Sequence, residues 1–157
     1  MDLEVPARSP HDSVAVAAST RGRIALHGAV RACIEESARR RYPEEACGLL
    51  IGRSTPERVE VVEAREANNV EVVRGHDRYV LDPVDHLAAE EHARGNGLEV
   101  VGAWHSHPDC PAQPSETDRR GAWANWSYLI VGLRLGDVTE LRSWRLSGDR
   151  FQEETLE

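Results

Sequence analysis

Residues 98–104 are an almost unbroken apolar run rich in strand formers, launched by the turn signal Gly95-Asn96-Gly97 and followed at once by His105-Ser106-His107-Pro108. This constrains the fold more than any other stretch. A buried strand presents alternate side chains to opposite faces, so histidines two positions apart at its end point the same way and can share one ion. Pro108 predicts the end of the strand, and Pro111 and Pro114 stiffen the loop beyond it. Ser115 to Asp118 then has the Ser-x-x-Asp form of a helix N-terminus with Ser115 as the cap, which returns a carboxylate towards the imidazoles.

Two imidazoles and one carboxylate make three ligands, the number a catalytic zinc keeps while leaving its fourth position to water; a structural zinc uses four. Such a site still needs a base to take a proton from that water and carry it to a leaving amine, so a further carboxylate is expected elsewhere in the chain. Taken singly, Ser-x-x-Asp is most often only a capping box, and His-x-His is usually surface or core histidine. Their conjunction across a proline-stiffened loop favours the metal reading.

The whole run resembles the JAMM signature of the MPN+ (Mov34/PAD-1) metallopeptidases, in which His-x-His-Pro is followed by Ser and, three residues on, by Asp. That family also carries an upstream Glu two residues before a Cys or hydrophobic residue and Gly, and this chain has Glu44-Glu45-Ala46-Cys47-Gly48. The resemblance extends over residues 22–155 through Asp82-Pro83, Tyr128-Leu129-Ile130-Val131 and Ser143-Trp144-Arg145-Leu146. It is strongest to the short prokaryotic members, which are similar to peptidases that remove cysteine from a ubiquitin-like sulfur-carrier protein. Carried over by position, it implies that His105, His107 and Asp118 hold one Zn2+ per chain. It implies equally that Glu45 is the general acid/base and that Ser115 helps stabilise the tetrahedral oxyanion. Glu44 is expected to be a solvated neighbour.

The implied activity is zinc-dependent hydrolysis of the peptide or isopeptide bond after the C-terminal Gly-Gly of a ubiquitin-like or sulfur-carrier protein. The leaving group is left open between cysteine, a lysine side chain and a linear extension. One alternative is a non-catalytic MPN scaffold or binding module, whose mark is an incomplete motif. Another is a zinc deaminase, whose His-x-Glu and Pro-Cys-x-x-Cys are missing.

The fold class expected is α/β: a single MPN domain over residues 22–157 with a central mixed, mostly antiparallel sheet flanked by helices, after a loose extension at 1–21. Strands are expected at 24–26, 47–52, 58–64, 79–81, 128–135 and 139–146, and helices at 28–41, 83–94 and 116–124. The polar connection at 65–78 is where the resemblance places substrate specificity; His76 within it reads as an ordinary loop histidine. Asp85, His86, Glu90, Glu91 and His92 are read as a solvated helix face, and Trp123, Trp126 and Trp144 as core or rim packing.

Charge and composition narrow the function classes. A net charge of −8 argues against a nucleic-acid surface, and Arg39-Arg40-Arg41 reads as the last turn of a helix. All 19 basic residues are Arg, a pattern that fits genome composition or salt adaptation and would also spare the chain conjugation through lysine. Three unpaired cysteines point to a reducing cytoplasm. Cys33 and Cys47 read as small core residues, and Cys110 as a loop thiol or a soft ligand. No stretch reaches the length of a membrane span, and the N-terminus lacks the pattern of a signal peptide.

Overall fold

In the computed structural model, residues 22–71 and 79–157 are described. The extension expected at 1–21, and Arg74, His76 and the rest of 72–78, lie outside the described residues. The element order is β1 (Arg23–Leu26), α1 (Val30–Arg41), β2 (Cys47–Ser54), β3 (Val59–Ala67), α2 (Pro83–Gly95), β4 (Glu99–Pro108), α3 (Glu116–Gly121), β5 (Ser127–Arg134), β6 (Asp137–Ser147) and β7 (Arg150–Leu156).

The sheet is mixed and mostly antiparallel: β2 with β3, β2 with β4, β5 with β6 and β6 with β7 are antiparallel, while β1 with β3, β1 with β7 and β4 with β5 are parallel. It is a closed barrel in the order β1-β3-β2-β4-β5-β6-β7, which corrects the expected central sheet between helices. Closure depends on β7, where no strand was expected. Its register Arg23↔Thr155 and Ile24↔Leu156 completes the ring, and Glu154 is its only buried residue, so hydrophobic periodicity gives it away poorly.

Two apolar clusters fix the helices. The first takes Ile24, Leu50, Val61, Trp104, Leu129 and Leu141 from the strands together with Val30, Ile34 and Ala38 of α1, whose i, i+4, i+8 spacing makes one helix face. The second joins Leu49, Ile51 and Val100 to Ala89 and Ala93 of α2. Leu50 falls in one cluster and its neighbours Leu49 and Ile51 in the other, as strand alternation requires. Gly48 is obligatory, because a Cβ there would lie 2.0 Å from Arg65 O and 2.3 Å from Trp104 Nε1.

Three local expectations are corrected. Residues 79–81 form no strand; Asn69 and Leu81 make an isolated bridge, and Asn69 Oδ1 accepts from Glu71 N and Val80 N, so residues 69–71 are tied to 80–81. The helix expected over 116–124 ends at Gly121. Cys33 is exposed, because the buried face of α1 runs through Val30, Ile34, Ser37 and Ala38.

Candidate metal centre

β4 continues through both histidines to Pro108, with His105 fully buried and His107 8% exposed. Beside it, Cys47 pairs with His105, Ser106 N donates to Ala46 O at 2.9 Å and Ala46 N donates to Ser106 Oγ at 2.8 Å. These bonds hold the segment carrying Glu45 against the strand of the histidines. Glu45 is 7% exposed and Glu44 is exposed, so the two adjacent carboxylates occupy different environments.

The loop after Pro108 leads to Ser115, the cap of α3. Ser115 Oγ accepts from Asp118 N at 3.0 Å and Asp118 Oδ2 accepts from Ser115 N at 2.8 Å, a full capping box. The same Asp118 Oδ2 lies 3.3 Å from His105 Nε2 and 3.3 Å from His107 Nε2, which are themselves 3.0 Å apart. The capping and clustering readings of Ser-x-x-Asp therefore hold together: the cap fixes the carboxylate that faces the imidazoles.

Among the described residues, His105, His107 and Asp118 form a group able to hold a metal ion, their donor atoms all within 4.8 Å of one another. Tetrahedral coordination at bonds of about 2.0–2.2 Å sets donor separations of roughly 3.3–3.6 Å, and the separations here, 3.0–3.3 Å, lie within a few tenths of an ångström of the lower figure. His107 Nδ1 lies 2.8 Å from Pro111 O, and since a carbonyl only accepts, Nδ1 carries a proton and Nε2 holds the lone pair whenever the ring is neutral. His105 Nδ1 is buried without a hydrogen-bond partner among the described residues, and its ring instead stacks on Tyr79 with centroids 4.3 Å apart.

Electrostatics favour the ligand-competent protonation state at His105 and Asp118, while at His107 they favour the proton that a cation would have to displace. Burial pulls His105 below its ordinary pKa against the attraction of Asp118. Burial also opposes charge on His107, but hydrogen bonds to Asp118 and Pro111 outweigh it and raise that pKa. Asp118 is held well below the usual carboxylate range: burial would raise it, but the charge of His105 and hydrogen bonds from His105, His107 and Ser115 N prevail. An ionised carboxylate and an easily neutralised imidazole are what a divalent cation requires.

Ser115 and Asp118 also line a cleft of about 620 Å3 whose walls carry Tyr79, His86, Trp123 and Trp126. Trp123 is exposed, its ring 4.6 Å from that of Trp126, and His86 lies 5.3 and 5.5 Å from the two. The solvated-face reading of α2 therefore fails for His86, and for Asp85, which accepts from Asn68 N at 2.7 Å. Tyr79 carried no signal in the sequence beyond its place in an apolar triplet. Cys110 is exposed and outside the donor group, and Cys47 is a buried thiol pushed up to about 12 by burial and then by Glu45.

A barrel of this topology with a His-x-His strand end and a capping Asp defines a JAB-type domain. Residues 28–147 match the family described as prokaryotic homologs of the JAB domain, and the chain belongs to that family, the prokaryotic branch of the JAMM/MPN+ proteins. It is 36% identical to the desampylase of Haloferax volcanii over 112 residues, 71% of this chain and 76% of that one. It is 32% identical to the CysO-cysteine peptidase of Mycobacterium tuberculosis over 120 residues, 76% of this chain and 80% of that one. Among solved structures, a protein of Desulfitobacterium hafniense superposes with a TM-score of 0.74 at 32% identity, over 85% of this chain and 90% of that one.

Proposed function

We propose that this chain is a zinc-dependent metallopeptidase that hydrolyses the peptide or isopeptide bond after the C-terminal Gly-Gly of a ubiquitin-like or sulfur-carrier protein in the cytoplasm. The observation that carries the reading is the convergence of His105, His107 and Asp118, the last of them lining a cleft, with buried Glu45 two residues before β2. The relatives named as a desampylase and a CysO-cysteine peptidase support the substrate class. Free cysteines at Cys33 and Cys110 are in keeping with a reducing compartment.

His105, His107 and Asp118 would hold the zinc ion, which supplies Lewis acidity for the scissile carbonyl and acidifies water. Glu45 takes the proton of the attacking water and passes it to the leaving amine. Ser115 Oγ already accepts from Asp118 N, so its own proton can be donated to the carbonyl oxygen as charge develops there. The cleft walls around Asp118 would exclude water from an extended tail, and a Gly-Gly end, having no side chains, would bring its carbonyl close to the donors without steric cost.

The test is Glu45→Gln. Turnover of a Gly-Gly-linked substrate should fall by about 10²–10⁴-fold while zinc content stays that of the parent protein; undiminished turnover would remove Glu45 from the mechanism. A non-catalytic scaffold has no use for a complete donor set and a buried carboxylate beside it, and would show neither zinc nor turnover.

A further inference from the structure

β4, β5 and β6 run side by side at the metal centre, with His107 paired to Gly132 and Gly132 to Glu140. Gly132 puts no side chain between the imidazole and the carboxylate, and the loop after His107 folds over it. A Cβ at Gly132 would lie 3.1 Å from Glu140 Cγ, 3.2 Å from Cys110 O and 3.3 Å from Ala112 N. Across that close approach Glu140 Oε1 accepts from Ala112 N at 2.7 Å.

The N–H of Ala112 and the carbonyl of Pro111 belong to one peptide group. His107 Nδ1–H donates to that carbonyl at 2.8 Å, so imidazole, peptide and carboxylate form a single chain of hydrogen bonds. A peptide is a resonant unit, and a negative charge on its N–H shifts electron density towards its oxygen. A stronger acceptor at Nδ1 makes the lone pair at Nε2 a better donor to a metal. The loop is pinned nearby as well: Trp144 Nε1 donates to Ala112 O at 2.9 Å, and Asp109 accepts from Tyr42 Oη at 2.6 Å and from Leu135 N at 2.8 Å.

In many metal sites the second nitrogen of a ligating histidine meets a carboxylate directly. We propose that Glu140 fills that place at one remove: it is a positioning residue that orients and polarises His107 through the Pro111–Ala112 peptide. Trp144 fixes the far side of Ala112, and Gly132 leaves the space the arrangement needs. This role for Glu140 rests on the reading of His107 as a metal ligand. Its sequence signal is thin, because Glu140 lies 33 positions after His107 on a strand whose apolar residues Val138, Leu141, Trp144 and Leu146 keep no regular period.

The experiment compares the full chain with its Glu140→Gln and Glu140→Ala variants. Zinc affinity is read by competition with a chromophoric chelator, and the metal-free proteins are compared by thermal melting and by the 15N and 1H shifts of the His107 ring. Glutamine keeps an acceptor for Ala112 N–H and removes only the charge, so it should weaken zinc about tenfold, and alanine, which also frees the loop, towards about a hundredfold. The Nδ1–H resonance should move in Glu140→Gln towards a weaker hydrogen bond while the melt stays close to that of the parent. Zinc bound by Glu140→Gln as tightly as by the parent, with an unmoved Nδ1–H resonance, would overturn the proposal. A parent chain that binds no zinc would overturn the metal centre, and the metal-free resonance would then decide separately whether Glu140 reaches His107.

Discussion

Replacing Arg145 with Met should cost about 3 kcal/mol of stability, because it strands a buried charge. Glu154 is 3% exposed and accepts from Arg145 Nε at 2.8 Å, Ser143 Oγ at 2.7 Å and Ser127 Oγ at 3.1 Å. Arg145 also donates to Asn125 O at 3.1 Å, beside the tryptophans of the cleft wall. Losing a hydrogen bond to a charged group costs about 1.5–3 kcal/mol and losing the bond to Asn125 about 0.5–1.5. Breaking a buried pair from one side costs about 3–5 kcal/mol. Two serine hydroxyls remain on the carboxylate, which keeps the total near the lower figure. For a chain of 157 residues this lowers Tm by roughly 6–12 °C. Urea unfolding followed by far-UV circular dichroism measures it. Arg145→Met/Glu154→Gln, which removes the stranded charge and leaves an acceptor for the serines, should recover at least about 1 kcal/mol. A single variant within about 1 kcal/mol of the parent, or a double variant no more stable than the single, would refute the argument.

Gly48→Ala drives a Cβ into Arg65 O and the Trp104 indole and should destabilise by about 3 kcal/mol, read as a lower urea midpoint at unchanged slope. Tyr42→Phe removes the hydrogen bond that does most to hold Asp109 below its ordinary pKa, so that pKa should rise in carboxyl 13C titrations. Because the folded-state value is depressed, the contribution of Asp109 is present above its unfolded pKa and lost as pH falls through the folded one. The variant should therefore show less stability loss over that acid range than the parent.

The grouping of His105, His107 and Asp118 is legible in the sequence because its geometry is local. His105 and His107 share a strand face by period two, and Ser115 and Asp118 meet by the spacing of a capping box, so four residues needed only secondary structure to be placed. Glu45 needed a long-range pairing, Cys47 with His105, which no local pattern predicts; the resemblance to a family motif singled it out. Barrel closure was not legible, since β7 buries one carboxylate where a strand usually buries apolar residues. Tyr79 and His86 were read by the pattern of their own segments, while their neighbours His105, Trp123 and Trp126 come from elsewhere in the chain. Cys33 departs from the expected core position by a small phase angle: three residues from Val30 and one from Ile34, it sits just past the edge of the buried face of α1.

The most direct test of the account is metal content and turnover measured on one sample of the full chain, with a Gly-Gly-terminated ubiquitin-like carrier bearing a C-terminal cysteine or an isopeptide-linked protein as substrate. The account predicts one equivalent of zinc, release of the group after Gly-Gly that stops with chelator and returns with zinc, and loss of both metal and turnover in His107→Ala. A chain that binds no zinc, or one whose cleavage survives chelation, would contradict it.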